Sequence, residues 1–305
     1  MAVPIRARIL PGMAERDDWR LAVTWGRGVA MQLKRAPAVR LRPYIRDVWF
    51  SGRGAPETAA FENVLPTGDM HLVIRLSDEP VRLVDRGNPN TVECFGYCVV
   101  GGARSSWYRK EVTRQPARSI GVQLKPGAAE MLFGMPASDF AERHVTLEDL
   151  WGRTATNIRN RLLEAGEPDR QLRELETILG ERLPVIRGLH PAVAGALEQF
   201  AMSGSVRDAV RRSGYSHRHF VALFRRSVGL TPKVYTRVSR LQRVLAWCSG
   251  GSGEDALSFS WAQMALRAGY SDQAHFNREF RKFAGVTPEY YRRAVTTASH
   301  HVPTG

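Results

Sequence analysis

From about residue 31 to 135 the apolar positions come in short runs. Met70-His71-Leu72-Val73-Ile74-Arg75-Leu76, Val81-Arg82-Leu83-Val84, Phe95-Gly96-Tyr97-Cys98-Val99-Val100 and Ser119-Ile120-Gly121-Val122-Gln123-Leu124 are the clearest, and each has the length and β-branched content of a strand. Between runs stand Pro66-Thr67-Gly68-Asp69 and Gly87-Asn88-Pro89-Asn90, residues that preset or tolerate the backbone angles of turns. Many short strands without long helices between them predict an antiparallel barrel or sandwich. Residues 1–30 mix Arg, Gly and Trp with no sustained period and are expected to be a flexible extension, with Met1, Met13 and Met31 as equal candidates for the start.

After Lys125-Pro126-Gly127 the period becomes helical. Ala128 to Met135, Ser138 to His144 and Leu147 to Trp151 read as short helices, Asn157 to Leu163 and Gln171 to Leu183 as longer ones. Leu172, Leu175, Leu179 and Leu183 follow helical spacing. Such a stripe is either core or, lying between two domains with charges on its other face, a dimer seam. His190-Pro191 marks a boundary.

Beyond it, one pattern occurs twice. Gly214-Tyr215-Ser216, Phe220, Phe224-Arg225-Arg226, Gly229-Leu230-Thr231-Pro232 and Tyr235 return as Gly269-Tyr270-Ser271, Phe276, Phe280-Arg281-Lys282, Gly285-Val286-Thr287-Pro288 and Tyr291, at an offset of 55 growing to 56. In the first copy Val206, Ala209 and Val210 give a helix an apolar face, Gly214 supplies a turn that a Cβ would resist, and Ser216 is placed to cap the next helix. That helix turns Phe220, Leu223 and Phe224 inward, leaving His217, Arg218, Val221, Ala222 and Arg225 outward. In the second copy Trp261, Met264 and Ala265 precede the Gly269 turn, and Asp272 caps a helix with Phe276, Phe280 and Phe283 inward. Gln273, Ala274, His275, Asn277, Arg278, Arg281 and Lys282 remain outside. Thr231-Pro232 and Thr287-Pro288 start further helices, since Pro is tolerated at a first helical position. A polar stretch, Ser249 to Ser258, ends the connecting helix. Small residues, a glycine turn and a basic amphipathic helix make a helix-turn-helix that sends its second helix into a DNA groove. A single copy would read as a solvated basic face; two in register, with matching caps, predict two DNA readers in one chain.

Charge agrees with this. The chain carries a formal +14 over 305 residues, and residues 191–305 hold 16 Lys or Arg against 7 Asp or Glu, a net +9. An excess of this kind attracts a polyanion without specifying which. Cys94, Cys98 and Cys248 are too few and odd in number for a disulfide framework, which suits a reducing cytoplasm. Cys94 and Cys98 lack His or Cys partners at zinc-ligand spacing. No apolar run reaches the roughly 20 residues of a membrane span, and no compact apolar leader is seen near the N-terminus. A cytoplasmic location is expected, with no membrane association and no cofactor or metal.

The paired motif resembles the arabinose-regulator (AraC/XylS) family of bacterial transcription factors. Gly269-Tyr270-Ser271-Asp272-Gln273-Ala274-His275-Phe276 and Phe280-Arg281-Lys282-Phe283-Ala284-Gly285 carry the closest likeness, within a match over about residues 190–295. The resemblance implies seven helices, two helix-turn-helix motifs joined by a long helix, and insertion into consecutive major-groove faces. It implies base contacts from Arg218, Val221 and Ala222 and from Ala274, His275 and Arg278. Val221 and Ala222 depart from more polar versions, so Arg218 is expected to read a guanine and the two apolar residues thymine methyls.

Arg42-Pro43-Tyr44-Ile45, Trp49, Leu65-Pro66-Thr67-Gly68, Val100-Gly101-Gly102, Gly121-Val122-Gln123-Leu124-Lys125-Pro126-Gly127-Ala128 and Leu147-Glu148-Asp149-Leu150-Trp151 are similar to a sensor domain attached to this DNA-binding unit in many bacterial regulators. That likeness implies a cupin-like β-barrel without a well-established ligand. His71, Trp107 and Tyr108 are candidates for lining its mouth, beside the plainer reading as packing residues. The expected organisation is α+β and multidomain: extension 1–30, β-barrel sensor 31–135, helical linker and dimerisation region 136–189, double helix-turn-helix 190–296, tail 297–305. The expected function is regulation of transcription at double-stranded promoter DNA under a small-molecule effector, with RNA polymerase and a second copy of the chain as further candidate partners. A metal-dependent cupin enzyme and a DNA-repair protein are the alternatives; the β region has no His-x-His or His-x-x-x-His arrangement with a carboxylate, and no Cys stands in a Pro-Cys-His context, to favour them. A nucleoid or RNA-binding structural protein would not need a sensor-like domain.

Overall fold

The computed structural model describes residues 7–8, 18–25, 28–53, 61–84, 88, 90–112, 115–183, 189–249, 260–294 and 300–304. In chain order the strands are β1 Ala7–Arg8, β2 Asp18–Trp25, β3 Gly28–Arg35, β4 Ile45–Arg53, β5 Phe61–Val64, β6 Met70–Arg75, β7 Arg82–Val84, β8 Val92–Cys94, β9 Cys98–Gly101, β10 Tyr108–Glu111, β11 Ala117–Leu124, β12 His144–Thr146 and β13 His301–Thr304. They form an eight-stranded sheet, β1-β2-β3-β4-β11-β6-β9-β12, and a five-stranded sheet, β13-β5-β10-β7-β8, with antiparallel pairing throughout.

Alternation along the strands decides which way each face looks. Met70, Leu72 and Ile74 of β6, Cys98 and Val100 of β9, and Ile120, Val122 and Leu124 of β11 are buried on one face of the large sheet. Residues two apart share a face of a pleated strand, so this face is a continuous apolar surface that something must cover. Helices supply the cover: α1 Ala128–Phe133, α2 Ala137–Phe140, α3 Leu147–Trp151, α4 Arg153–Glu164 and α5 Pro168–Arg182. Ala155, Ile158 and Leu162 of α4 and Leu172, Leu175, Ile178 and Leu179 of α5 lie in one cluster with these strand residues.

That packing decides one open reading and corrects three expectations. The leucine stripe is core: Leu172, Leu175 and Leu179 are buried, Leu183 packs against the same cluster, and Glu176 on the same helix holds Arg35 at 2.6 Å and the Ala38 N–H at 2.7 Å. It is no dimer seam. Residues 136–183 are no mere helical linker, because β12 extends the large sheet and α4 and α5 complete its core. The helix expected to reach His144 stops at Phe140, since Glu142 takes φ 60° and the chain turns into β12. The run Phe95 to Val100 is interrupted by Gly96 at φ 69°, so β8 and β9 belong to different sheets.

The two ends of the chain depart from expectation too. Residues 18–25 and 28–35, read mostly as an extension, form the paired strands β2 and β3 at one side of the large sheet. The tail forms β13, paired with β5 in the register His301 to Val64. Pro303 is tolerated there because β13 is an edge strand. The expected start residues Met1 and Met13, and the polar break at 250–258, fall outside the described residues.

Seven further helices occur among the described residues: α6 Pro191–Ala201, α7 Val206–Ser213, α8 His217–Val228, α9 Pro232–Ser249, α10 Trp261–Arg267, α11 Gln273–Ala284 and α12 Pro288–Ala294. They divide into two units joined by α9. Val193, Ala196, Phe200, Ala209, Phe220, Phe224 and Val228 form a core of their own. Phe276, Phe280, Phe283 and Tyr291 instead join the cluster that contains the β-domain residues.

Candidate nucleic-acid interface

Each helix-turn-helix is built from local signals that the sequence displays. In the first, Ser205 accepts the Asp208 N–H at 3.1 Å and starts α7. Gly214 closes that helix at φ 71°, a conformation in which a Cβ would clash. Ser216 accepts the His219 N–H at 3.3 Å and starts α8. In the second, Ser260 and Gln263 form a reciprocal capping box on α10, Gly269 makes the turn at φ 83°, and Asp272 accepts the His275 N–H at 2.6 Å. Burial of Phe220 and Phe224, and of Phe276, Phe280 and Phe283, presses one stripe of each second helix inward. The opposite stripe is thereby turned to water.

On α8 that outer stripe is His217, Arg218, Ala222 and Arg225, with Val221 half-buried. On α11 it is Gln273, Ala274, Asn277, Arg278, Arg281 and Lys282, with His275 half-buried. His275 is held at its base by Ser271, whose Oγ lies 3.1 Å from Nδ1. Arg218, Arg225, Arg278, Arg281 and Lys282 form no ion pair among the described residues. Exposed cations without internal partners remain available to phosphates or base edges. By contrast Arg211 already holds Asp208 at 2.8 Å, and Arg226 holds Glu130 at 2.6 Å.

Sequence reasoning missed one residue of this region. Glu279 sits among the outward residues of α11 in sequence, yet it is buried and reaches Arg237 of α9 at 2.5 Å. A Glu flanked by Arg278 and Arg281 reads as a surface residue; only its rotation toward α9 shows otherwise. The Arg237 guanidinium also lies 5.3 Å from the Phe283 ring centroid.

The β domain holds its own polar residues. His71 is half-buried with its ring against Gly101, and desolvation, reinforced by the nearby Arg104 charge, lowers its pKa to about 4. His144, held well below its usual value mainly by burial, meets Arg104 at 3.0 Å through Nδ1 and Tyr108 at a ring separation of 4.4 Å. Trp107 lines no barrel mouth: its backbone and indole meet the end of α11. Buried Asp69 faces Arg46 at 2.8 Å and Gln123 at 2.8 Å, and desolvation raises its pKa to about 6. Burial likewise lifts the Cys98 thiol to about 12, whereas Cys94 is exposed. Among the described residues no group of three His, Cys, Asp or Glu side chains is placed to hold a metal, and no helix is long and apolar enough to cross a membrane.

Two helix-turn-helix units joined by a continuous helix and seated on an antiparallel β domain define a double helix-turn-helix protein with an attached β-rich module. Residues 209–294 match the family described as Helix-turn-helix domain, and residues 33–146 match a domain of unknown function, DUF6597. The match over 209–294 spans the first glycine turn, the connecting helix and the second helix-turn-helix unit. A putative transcriptional regulator of Escherichia coli, YkgA, is 32% identical over 88 residues, which are 29% of this chain and 34% of that protein. The transcriptional activator AarP of Providencia stuartii is 26% identical over 92 residues, 30% of this chain and 64% of that one. The chain therefore matches from about a third to under two thirds of the length of these relatives. Among solved structures, fatty-acid-bound ToxT of Vibrio cholerae superposes with a TM-score of 0.47 at 10% identity, over 82% of this chain and 96% of that one.

Proposed function

We propose that the protein is a sequence-specific transcription regulator in which α8 and α11 read successive major-groove faces of double-stranded promoter DNA. The observation that carries this is the duplicated, capped helix-turn-helix with exposed cations on both second helices, of which Arg218, Arg225, Arg278, Arg281 and Lys282 form no ion pair among the described residues. In this reading Arg218 and Arg278 reach base edges, and Val221, Ala222 and Ala274 meet apolar base edges such as the thymine methyl. His217, Arg225, Gln273, His275, Asn277, Arg281 and Lys282 complete the contact surface. The β domain takes a small-molecule effector, RNA polymerase is the partner at the promoter, and the protein works in the cytoplasm without a catalytic step. Two readers in one chain remove the need for a symmetric dimer on DNA.

Selection of binding sites from random duplex DNA by the full chain tests the reading. A two-part consensus is expected, with an affinity that falls steeply as salt rises because phosphate contacts release counterions. Recovery of no consensus, with equal affinity for selected and random DNA at physiological salt, would overturn it.

A further inference from the structure

The β domain holds the two reading helices at the same point of the repeat. The Gly127 N–H donates to the Ser227 carbonyl at 2.8 Å, and the Trp107 N–H donates to the Phe283 carbonyl at 2.9 Å. Ser227 and Phe283 are 56 residues apart, which is the offset of the duplication there. Two residues on, Gly229 and Gly285 also correspond. A Cβ at Gly229 would lie 3.0 Å from the Ala137 carbonyl oxygen; one at Gly285 would lie 2.5 Å from the Trp107 ring. The last carbonyls of a helix have no partner within it. Here the β domain supplies that partner to both readers.

The two grips are unequal. The second unit shares its core with the β domain, Asn63 adds a bond to the Ala284 carbonyl at 3.3 Å, and β13 follows α12 back into the small sheet. The first unit has a separate core. It meets the β domain where the end of α8 lies on α1 and α2, with the exposed Arg226–Glu130 pair at the rim. Exposed pairs of this kind contribute little. A unit with its own core, attached through the α8 contact with α1 and α2, can rotate as a body, whereas a shared core cannot.

We infer that this paired grip is how the β domain sets the first reading helix relative to the second: α11 is fixed to the β-domain body, and α8 reorients when its contact with α1 and α2 loosens. The inference rests on the DNA-binding reading for its consequence, but its mechanical half is measurable without DNA. Local openings expose amides in proportion to the stability of the unit that covers them. In the full wild-type chain the Gly127 amide is therefore expected to exchange about tenfold or more faster than the Trp107 amide. Equal protection of the two would overturn the unequal grip whether or not the protein binds DNA.

The DNA half uses two variants of the full chain. Glu130→Arg places like charges at the exposed rim, and Ala137→Arg forces a long side chain into the α2–α8 contact. Both are compared by footprinting on a selected site whose halves are assigned with Arg218→Ala and Arg278→Ala. Protection of the α8 half is expected to weaken by about tenfold in Ala137→Arg and by about threefold in Glu130→Arg, while that of the α11 half stays unchanged within error, with faster exchange at Gly127 and not at Trp107. Should Ala137→Arg fail to fold, Glu130→Arg carries the comparison. Equal weakening of both halves, or unchanged footprints with accelerated Gly127 exchange, would overturn the inference. If the wild type selects no site, the DNA-binding reading fails, and the exchange contrast still decides the grip.

Discussion

Arg237 on the connecting helix and Glu279 on the second reading helix lie 2.5 Å apart, with the carboxylate buried. The pair ties the rotation of α11 to α9, so the outward set of Arg278, Arg281 and Lys282 depends on a contact made from behind. Removing the cation strands a buried charge, which typically costs about 3–5 kcal/mol. Arg237→Leu is therefore expected to lower the denaturant midpoint strongly. Replacing both partners, as Arg237→Leu/Glu279→Met, should restore most of the loss. A double variant no more stable than the single one would show that the pair does not set the cost.

The leucine stripe leads to a different outcome. Leu175 and Leu179 are fully covered by the β domain, so Leu175→Ala should cost about 2–5 kcal/mol through lost burial and the cavity left behind. Leu175→Glu/Leu179→Glu should unfold the chain rather than change its mass. Circular dichroism with sedimentation checks this, and a folded double variant would contradict the packing.

On DNA, the exposed residues of α11 should separate by role. Arg278→Ala is expected to relax one base position at a cost of about 1–3 kcal/mol, and Lys282→Ala to weaken all sequences alike with a shallower salt slope. Site selection with each variant provides the comparison. Unchanged base preference in Arg278→Ala would remove that residue from the reading surface.

Stability should fall as pH drops from about 7 to 5, since desolvated, half-buried neutral histidines gain protons on unfolding. His71 and His300 have folded pKa values of about 4, both lowered chiefly by burial, against an ordinary value of 6.5. Their contribution is therefore present at neutral pH and lost between pH 6.5 and 4, up to about 3 kcal/mol each. Asp69, raised to about 6 by desolvation, works in the opposite direction from about pH 6 down to about 4. Two histidines against one carboxylate leave a net loss toward acid. Denaturant titrations at the two pH values read it, and His300→Gln should shrink the difference. A midpoint that rises toward pH 5 would contradict the burial of these rings.

Which parts were legible in the sequence follows from how local each signal is. Ser216, Asp272, Gly214 and Gly269 act within three or four residues of themselves, and the phenylalanines at helical spacing state which side goes inward. The two helix-turn-helix units and their outward residues are therefore written in the chain itself. The strand runs of the β domain were readable for the same reason. Tertiary structure alone decided the rest, because a burial partner far along the chain leaves no periodic trace. The stripe Leu172, Leu175, Leu179 looks the same whether it meets a second copy or the core beside β4. His301 to Thr304 is too short and too polar to announce a strand until β5, more than 230 residues earlier in the chain, provides its hydrogen bonds. Glu279 reads as surface until α9 brings Arg237 behind it. The matched grips of Gly127 on Ser227 and Trp107 on Phe283 exist only once both halves of the duplication are seated on one β domain.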